Sequence, residues 1–159
     1  MYILLFTVVQ EISFTDNSQQ YCICFIDIVD STRNTVIIDA EKMKRYYSVF
    51  INMMAAIARD FNSNIIKNTG GSIIFYFPET SDSANISAFK AVLECGLTMI
   101  AVNPIMNAKL NEEGLPSLDY RISADYGTVY VAKSLTTTSE DLFGPTVNLI
   151  QNSASSIQN

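Results

Sequence analysis

The chain has 159 residues, 48% of them apolar, and carries 16 acidic against 10 basic side chains for a net charge of −6. That is the length of one ordinary domain with enough apolar content for a core, and the acidic balance leaves no basic stripe for nucleic acid or an anionic membrane surface. With no histidine in the sequence, Ser-His and Cys-His hydrolases are excluded, so any chemistry must rest on carboxylates, metal or the substrate itself.

In chain order, the first apolar run is Tyr2 to Val9. It has no basic leader and falls short of the roughly 18 residues a membrane-spanning helix needs. It reads as a strand or docking segment, and no membrane segment is expected in the chain. Tyr21 to Thr32, YCICFIDIVDST, then reads as a buried strand over Tyr21 to Ile28 that ends by presenting Asp27, with Asp30 three residues on. Asp30, Ser31 and Thr32 are good N-cap types for a short helix. A strand-end acid pair can hold Mg²⁺, which is usually bound by one or two carboxylates plus substrate phosphates. Cys22 and Cys24 alternate on one face of this strand and, with Cys95, form no CxxC pair. They read as small buried hydrophobes in a reduced, cytoplasmic protein rather than as zinc ligands.

A longer helix is expected from near Asp39, because Met43, Tyr46, Tyr47, Phe50, Met54, Ile57 and Phe61 recur at steps of three and four. Asn64 to Phe77 is predicted as a β-hairpin turning at Gly70-Gly71 and central in the sheet. Ser83 to about Met106 carries a second helical pattern, with Phe89, Val92, Cys95, Met99 and Ile100 on its apolar face and Pro104 near its end. After a polar loop over Asn111 to Ser117, Leu118 to Tyr126 and Thr128 to Ala132 are predicted as a strand pair around Gly127. A last helix starts near Pro145. The order β-α-α-β-β-α-β-β-α, with no repeat or linker, points to one α+β domain over residues 1–159: a mainly antiparallel sheet with helices on one face. The last helix would normally return to further strands, so the sequence either lacks the C-terminal part of a longer domain or ends in an atypically short way.

Four segments in order resemble the class III adenylate and guanylate cyclase catalytic domain over Tyr21 to Asn152. FIDIVDST is similar to its metal-binding strand, KNTGGSIIFYF to its hairpin, RISADYGTVYVA to its central strand pair and DLFGPTVNLIQN to its closing motif. The resemblance implies a ferredoxin-like nucleotide cyclase fold and a head-to-tail homodimer or heterodimer with sites shared between subunits. It also implies a phosphorus-oxygen lyase that converts ATP or GTP to a cyclic nucleotide and pyrophosphate with Mg²⁺ or Mn²⁺. In that scheme Asp27 is the first metal-binding acid and Ile28 lends its carbonyl. Lys67 and Asp141 match the adenine-reading pair, which favours ATP, and Asn148 matches the asparagine that orients the ribose.

Two residues depart from the pattern. Gly71 stands where the second metal-binding acid belongs, and Asn152 where an arginine stabilises the transition state. Asp30 is the available stand-in acid, although a helix cap accounts for it as well. Loss of one preorganised donor typically costs about 10² to 10³ in rate, so the expectation is a catalytically impaired, dimerising or nucleotide-binding regulatory domain of cyclic-nucleotide signalling. The alternatives are an active adenylate cyclase with a modified metal site and, more remotely, a diguanylate cyclase-like domain, whose hairpin also begins Gly-Gly but continues with acids that are replaced here by Ser72 and Ile73.

Overall fold

The computed structural model describes residues 12–14, 18–31, 38–134 and 140–155. Its sheet is built on β2 (Gln19–Ile28), which pairs antiparallel with β4 (Ser72–Phe77) on one side and β5 (Tyr120–Ser134) on the other. β3 (Asn64–Thr69) flanks β4, while β1 (Ile12–Phe14) and β6 (Glu140–Phe143) pair with the far end of β5. The registers fix the neighbours of Asp27: it lies opposite Ser72 in β4 and opposite Arg121 in β5.

Strand alternation divides β2 between two cores. Cys22, Cys24, Ile26 and Ile28 join a cluster with Phe75, Phe77, Tyr46, Phe50 and Met54, covered by α1 (Ala40–Asp60), α2 (Ile86–Ala101) and α3 (Asn103–Glu112). Ile23, with Phe25 against it, joins Ile74, Tyr76, Val129 and Val131 beneath α4 (Pro145–Ser155). By the same alternation Asp27 shares the α4 face. All three thiols are buried and free, and burial pushes that of Cys95 up to about 12, so it stays protonated and packs as a hydrophobe.

The long helix forms as the periodicity predicts. Asp39 caps it by accepting from Lys42 N at 2.8 Å. The hairpin turns at Gly70, whose φ of 54° suits a glycine. β4 is central, but β3 is the sheet's edge.

Several expectations need correction. The helix predicted over Ser83 to Met106 is two helices that break at Val102, and Pro104 opens the second because its missing N–H is harmless in a first turn. The second helix runs through Glu112, so the expected polar loop is shorter, and Leu115 within it is buried. Ile100 is 61% exposed, not on the buried face. No turn occurs at Gly127. β5 runs straight through, because this glycine makes room for Thr146 of α4, whose hydroxyl oxygen would lie 2.4 Å from any Cβ. α4 packs on the face opposite the other described helices, so the helices do not share one side. The Tyr2 to Val9 segment lies outside the described residues, as does the short helix after Asp30 beyond its first residue, Ser31. By length and hydropathy alone, Ile86–Glu112 would suffice to cross a membrane. Here it is the α2–α3 pair, with Val92, Cys95, Met99, Met106 and Leu110 in the core.

Candidate nucleotide site

On the α4 face, a cleft of about 250 Å³ gathers Lys67 from β3, Asp141 from β6, and Asn148 and Gln151 from α4, with Ile74 and Phe143 supplying apolar lining. Local chemistry explains the placement. Gly144 adopts φ 139°, a conformation that strongly favours glycine, and releases the chain from β6 into α4, with Pro145 in the first helical position. Thr146 is buried and donates to Thr128 O at 3.2 Å, which locks the start of the helix to β5. Asn148 follows half a turn later, exposed at the cleft. Asp141 Oδ1 accepts from Leu142 N at 3.0 Å, leaving its second oxygen available to a ligand. Lys67 is exposed and forms no ion pair with Asp141, so both charges are open to a base edge that offers a donor beside an acceptor.

Asp27 and Arg121 form a second centre on the same face. Lys67 opposes Ile74, and Ile74 opposes Phe25, two residues before Asp27. Arg121 Nη2 donates to Asp27 Oδ2 at 2.6 Å, with the two side chains only 18% and 17% exposed. Asp27 Oδ1 and Arg121 Nε are buried without a partner. One carboxylate oxygen and one guanidinium N–H therefore remain to be satisfied, which suits a cation on the first and an anion on the second.

Ile28 donates its N–H to Gly71 O at 2.9 Å, and its side chain points into the helical core. Asp30 sits exposed in the turn after β2 at φ 52°. Among the described residues no group of three metal-ligating side chains forms. At Gly71 a Cβ would meet Tyr47 Cε1 at 3.0 Å and Ile28 Cδ1 at 3.4 Å. A side chain there would start on the α1 face, away from Asp27. The residues thus fit a single divalent ion at Asp27 Oδ1 with its other ligands supplied by a nucleotide, and they do not fit a two-carboxylate clamp. Asn152 is exposed on α4 and does not line the cleft.

The structure brings Lys67, Asp141 and Asn148 together and keeps Asp27 and Asp30 apart from them. Sequence reasoning assigned no role to Arg121 or Gln151. For Arg121 the signal was present: it is the lone cation in the part of β5 that pairs with the Asp27 strand. Gln151 carried no such signal, since only the helix's rotation turns it toward the cleft.

Comparison with known proteins agrees with this architecture. The adenylyl cyclase CyaB from P. aeruginosa matches with a TM-score of 0.78 at 20% identity, over 88% of this chain and 73% of that one. The guanylyl cyclase Cya2 matches at 0.77 and 20% identity, over 86% and 69%. A cytidylate cyclase of Staphylococcus aureus is 25% identical over 113 residues, which make up 71% of this chain and 27% of that protein. The chain thus spans about a quarter of that curated relative. The profile of the adenylate and guanylate cyclase catalytic domain matches residues 14–158, and the chain belongs to that family.

Proposed function

We propose that this single domain binds a nucleoside triphosphate on its α4 face but has lost most cyclase turnover, and acts in cyclic-nucleotide signalling as a dimerising or nucleotide-binding regulatory domain. The observation that carries the reading is the partner of Asp27, which is the cation Arg121 at 2.6 Å rather than a second carboxylate.

Cyclisation requires the ribose 3′-oxygen to attack the α-phosphorus, with the hydroxyl proton leaving and pyrophosphate departing. A bound Mg²⁺ or Mn²⁺ at Asp27 would supply charge neutralisation for the phosphates. Lys67 donates to the base, Asp141 accepts from its exocyclic amine, and Asn148 orients the ribose. Arg121 holds phosphate oxygens through the guanidinium edge it does not use on Asp27. Gly71 and Asn152 contribute no charge to that step, so the ground state is bound with little extra stabilisation of the transition state. A homodimer, or a heterodimer with another cyclase domain, would place this chain's cleft against the acidic end of its partner. The three reduced, buried thiols support a cytoplasmic setting.

ATP is the first candidate ligand. CTP is a specific second one, because cytosine presents the same neighbouring amine and ring nitrogen as adenine and because of the similarity to a cytidylate cyclase. Titration of the purified chain with ATP, CTP and GTP in Mg²⁺ and Mn²⁺, scored for binding and for cyclic product, tests the reading. Binding of ATP or CTP that falls at least tenfold in Lys67→Ala, without appreciable product, is expected. Product that forms with wild-type chain and vanishes in Asp27→Ala would establish the opposite reading, an active cyclase with a modified metal site.

A further inference from the structure

We propose that Ser72 is the second protein ligand of the divalent ion at Asp27, through its hydroxyl oxygen. This rests on the reading of Asp27 as a metal ligand, and the resemblance to class III cyclases gives Ser72 no role in that site. Strand register places it there. Ser72 opens β4 directly opposite Asp27 of β2. In β4, Ile74 and Tyr76 join the core beneath α4, whereas Ile73, Phe75 and Phe77 join the other core. By that alternation Ser72 shares the face of Asp27. Gly71 lies on the reverse side, where a Cβ would meet Tyr47 Cε1 at 3.0 Å and Ile28 Cδ1 at 3.4 Å. The position that can send a second oxygen toward Asp27 is therefore residue 72, not residue 71.

The ladder also sets how close the two side chains come. Ile28 N–H donates to Gly71 O at 2.9 Å, one residue outside the Asp27–Ser72 pair on each strand. A bond in that place makes Asp27 and Ser72 a non-hydrogen-bonded pair, the kind whose Cα atoms approach to about 4.5 Å and whose side chains lie closest. Two oxygens bound to one Mg²⁺ at about 2.1 Å each lie about 3 Å apart, a gap that opposed side chains of such a pair can span. Arg121 stands opposite Asp27 on its other side and takes Oδ2 at 2.6 Å, while Oδ1 is buried without a partner. Ser72 is half-buried. A serine hydroxyl carries two lone pairs beside its one hydrogen, so it can donate to another group and still hold a cation.

Charge then decides when the ion is held. Ser72, Asp27 and Arg121 form one row across three strands, and a neutral hydroxyl, a carboxylate and a guanidinium sum to no net charge. Such a row holds a hard cation weakly until triphosphate oxygens join it. The ion therefore enters with the nucleotide, and exchange of a carboxylate for a hydroxyl makes metal occupancy depend on the ligand.

The test reads Mn²⁺ bound to the purified chain by paramagnetic resonance. In nucleotide-free protein, Ser72→Asp is expected to raise Mn²⁺ affinity about tenfold or more, a gain that adding Asp27→Asn abolishes. Gly71→Asp, aimed at Tyr47, should give no gain. With ATP present, Ser72→Ala is expected to lower Mn²⁺ affinity about tenfold. Because Ser72→Asp opposes like charges before metal binds, Ser72→Cys serves if that variant does not fold. A thiolate prefers a soft ion, so Ser72→Cys should bind Cd²⁺ with an ultraviolet sulfur-to-metal absorption that Asp27→Asn diminishes. The wild type, whose three thiols are buried, should lack that absorption; a serine with only a structural part would create no such site. A gain in Gly71→Asp instead of Ser72→Asp would overturn the proposal, as would a folded Ser72→Cys without the cadmium signal. Mn²⁺ affinity with ATP that falls in Asp27→Ala but not in Ser72→Ala would overturn it and leave the nucleotide reading intact. Failure of ATP to bind the wild type would remove the nucleotide reading, and the nucleotide-free comparison of Ser72→Asp with Gly71→Asp would then decide the proposal by itself.

Discussion

Asp27 and Arg121 face each other across the β2–β5 ladder, joined by one hydrogen bond of 2.6 Å, with one polar atom of each left buried and unpartnered. Each side chain is thus half-satisfied by the other, and each competes with the other's external ligand. A cation approaching Asp27 must contend with the guanidinium, and a polyphosphate approaching Arg121 draws that guanidinium away from the carboxylate. Arg121→Gln is therefore expected to weaken triphosphate binding by about tenfold or more, yet to strengthen binding of Mn²⁺ to the nucleotide-free protein. Calorimetry with ATP and paramagnetic resonance of Mn²⁺ check the two halves. Mn²⁺ affinity unchanged by the substitution would remove Asp27 from the candidate metal ligands.

Of the two turn glycines, Gly70 is required by its positive φ and Gly71 by packing. Because a Cβ at Gly71 would press on the Tyr47 ring at 3.0 Å, Gly71→Ala is expected to cost about 1 to 3 kcal/mol as overpacking. Tyr47→Leu should relieve much of that cost in the double variant. Urea denaturation of the four proteins measures the coupling. Additive losses would show that the two residues do not meet.

Gly127 and Thr146 set how closely α4 approaches the sheet. With the Thr146 hydroxyl oxygen 2.4 Å from where a Cβ would stand, Gly127→Ala must push the helix outward or rotate the threonine away from Thr128 O. A loss of about 1 to 3 kcal/mol is expected, together with weaker nucleotide binding, because Asn148 and Gln151 ride on the displaced helix. Thr146→Ala in the same chain should restore stability to near the level of Thr146→Ala alone. Thermal unfolding and ATP titration, run side by side, separate the two effects.

Arg45 of α1 donates two hydrogen bonds to Glu113, at 2.5 and 2.7 Å, and Lys109 stands 3.1 Å from the same carboxylate. The Arg45 and Lys109 contacts hold the Glu113 carboxyl down from its ordinary value near 4.5 to about 2. A depressed folded-state value means the contribution is fully present above about pH 4.5 and is lost as pH falls toward 2. The cluster is solvated, so its share is small and salt-sensitive. Glu113→Gln should flatten the acid limb of the stability curve between those limits, by lowering stability slightly above about pH 4.5 and leaving it nearly unchanged near pH 2. Denaturation midpoints collected across that range at low and high salt provide the check.

Local patterning determined much of this protein. The period of Ala40 to Asp60, the Asp39 cap, the alternation of β2, the Gly70 turn and the Gly144-Pro145 entry into α4 are each set by neighbours within a few residues, so they are legible in order along the chain. Ordered motifs carried the family, and with it the expectation that Lys67, Asp141 and Asn148 serve one ligand. Tertiary structure alone decided which face each helix covers, why Gly127 continues a strand instead of turning it, and that Ile100 faces outward. It also decided the company Asp27 keeps. Sequence reasoning looked for a second acid near it and weighed Asp30, but a partner across a ladder is chosen by register between segments 94 residues apart. No local pattern encodes that register, because strand pairing depends on how whole faces bury against their cores. Thus an aspartate that reads as a metal ligand along the chain is found, in three dimensions, already matched to an arginine.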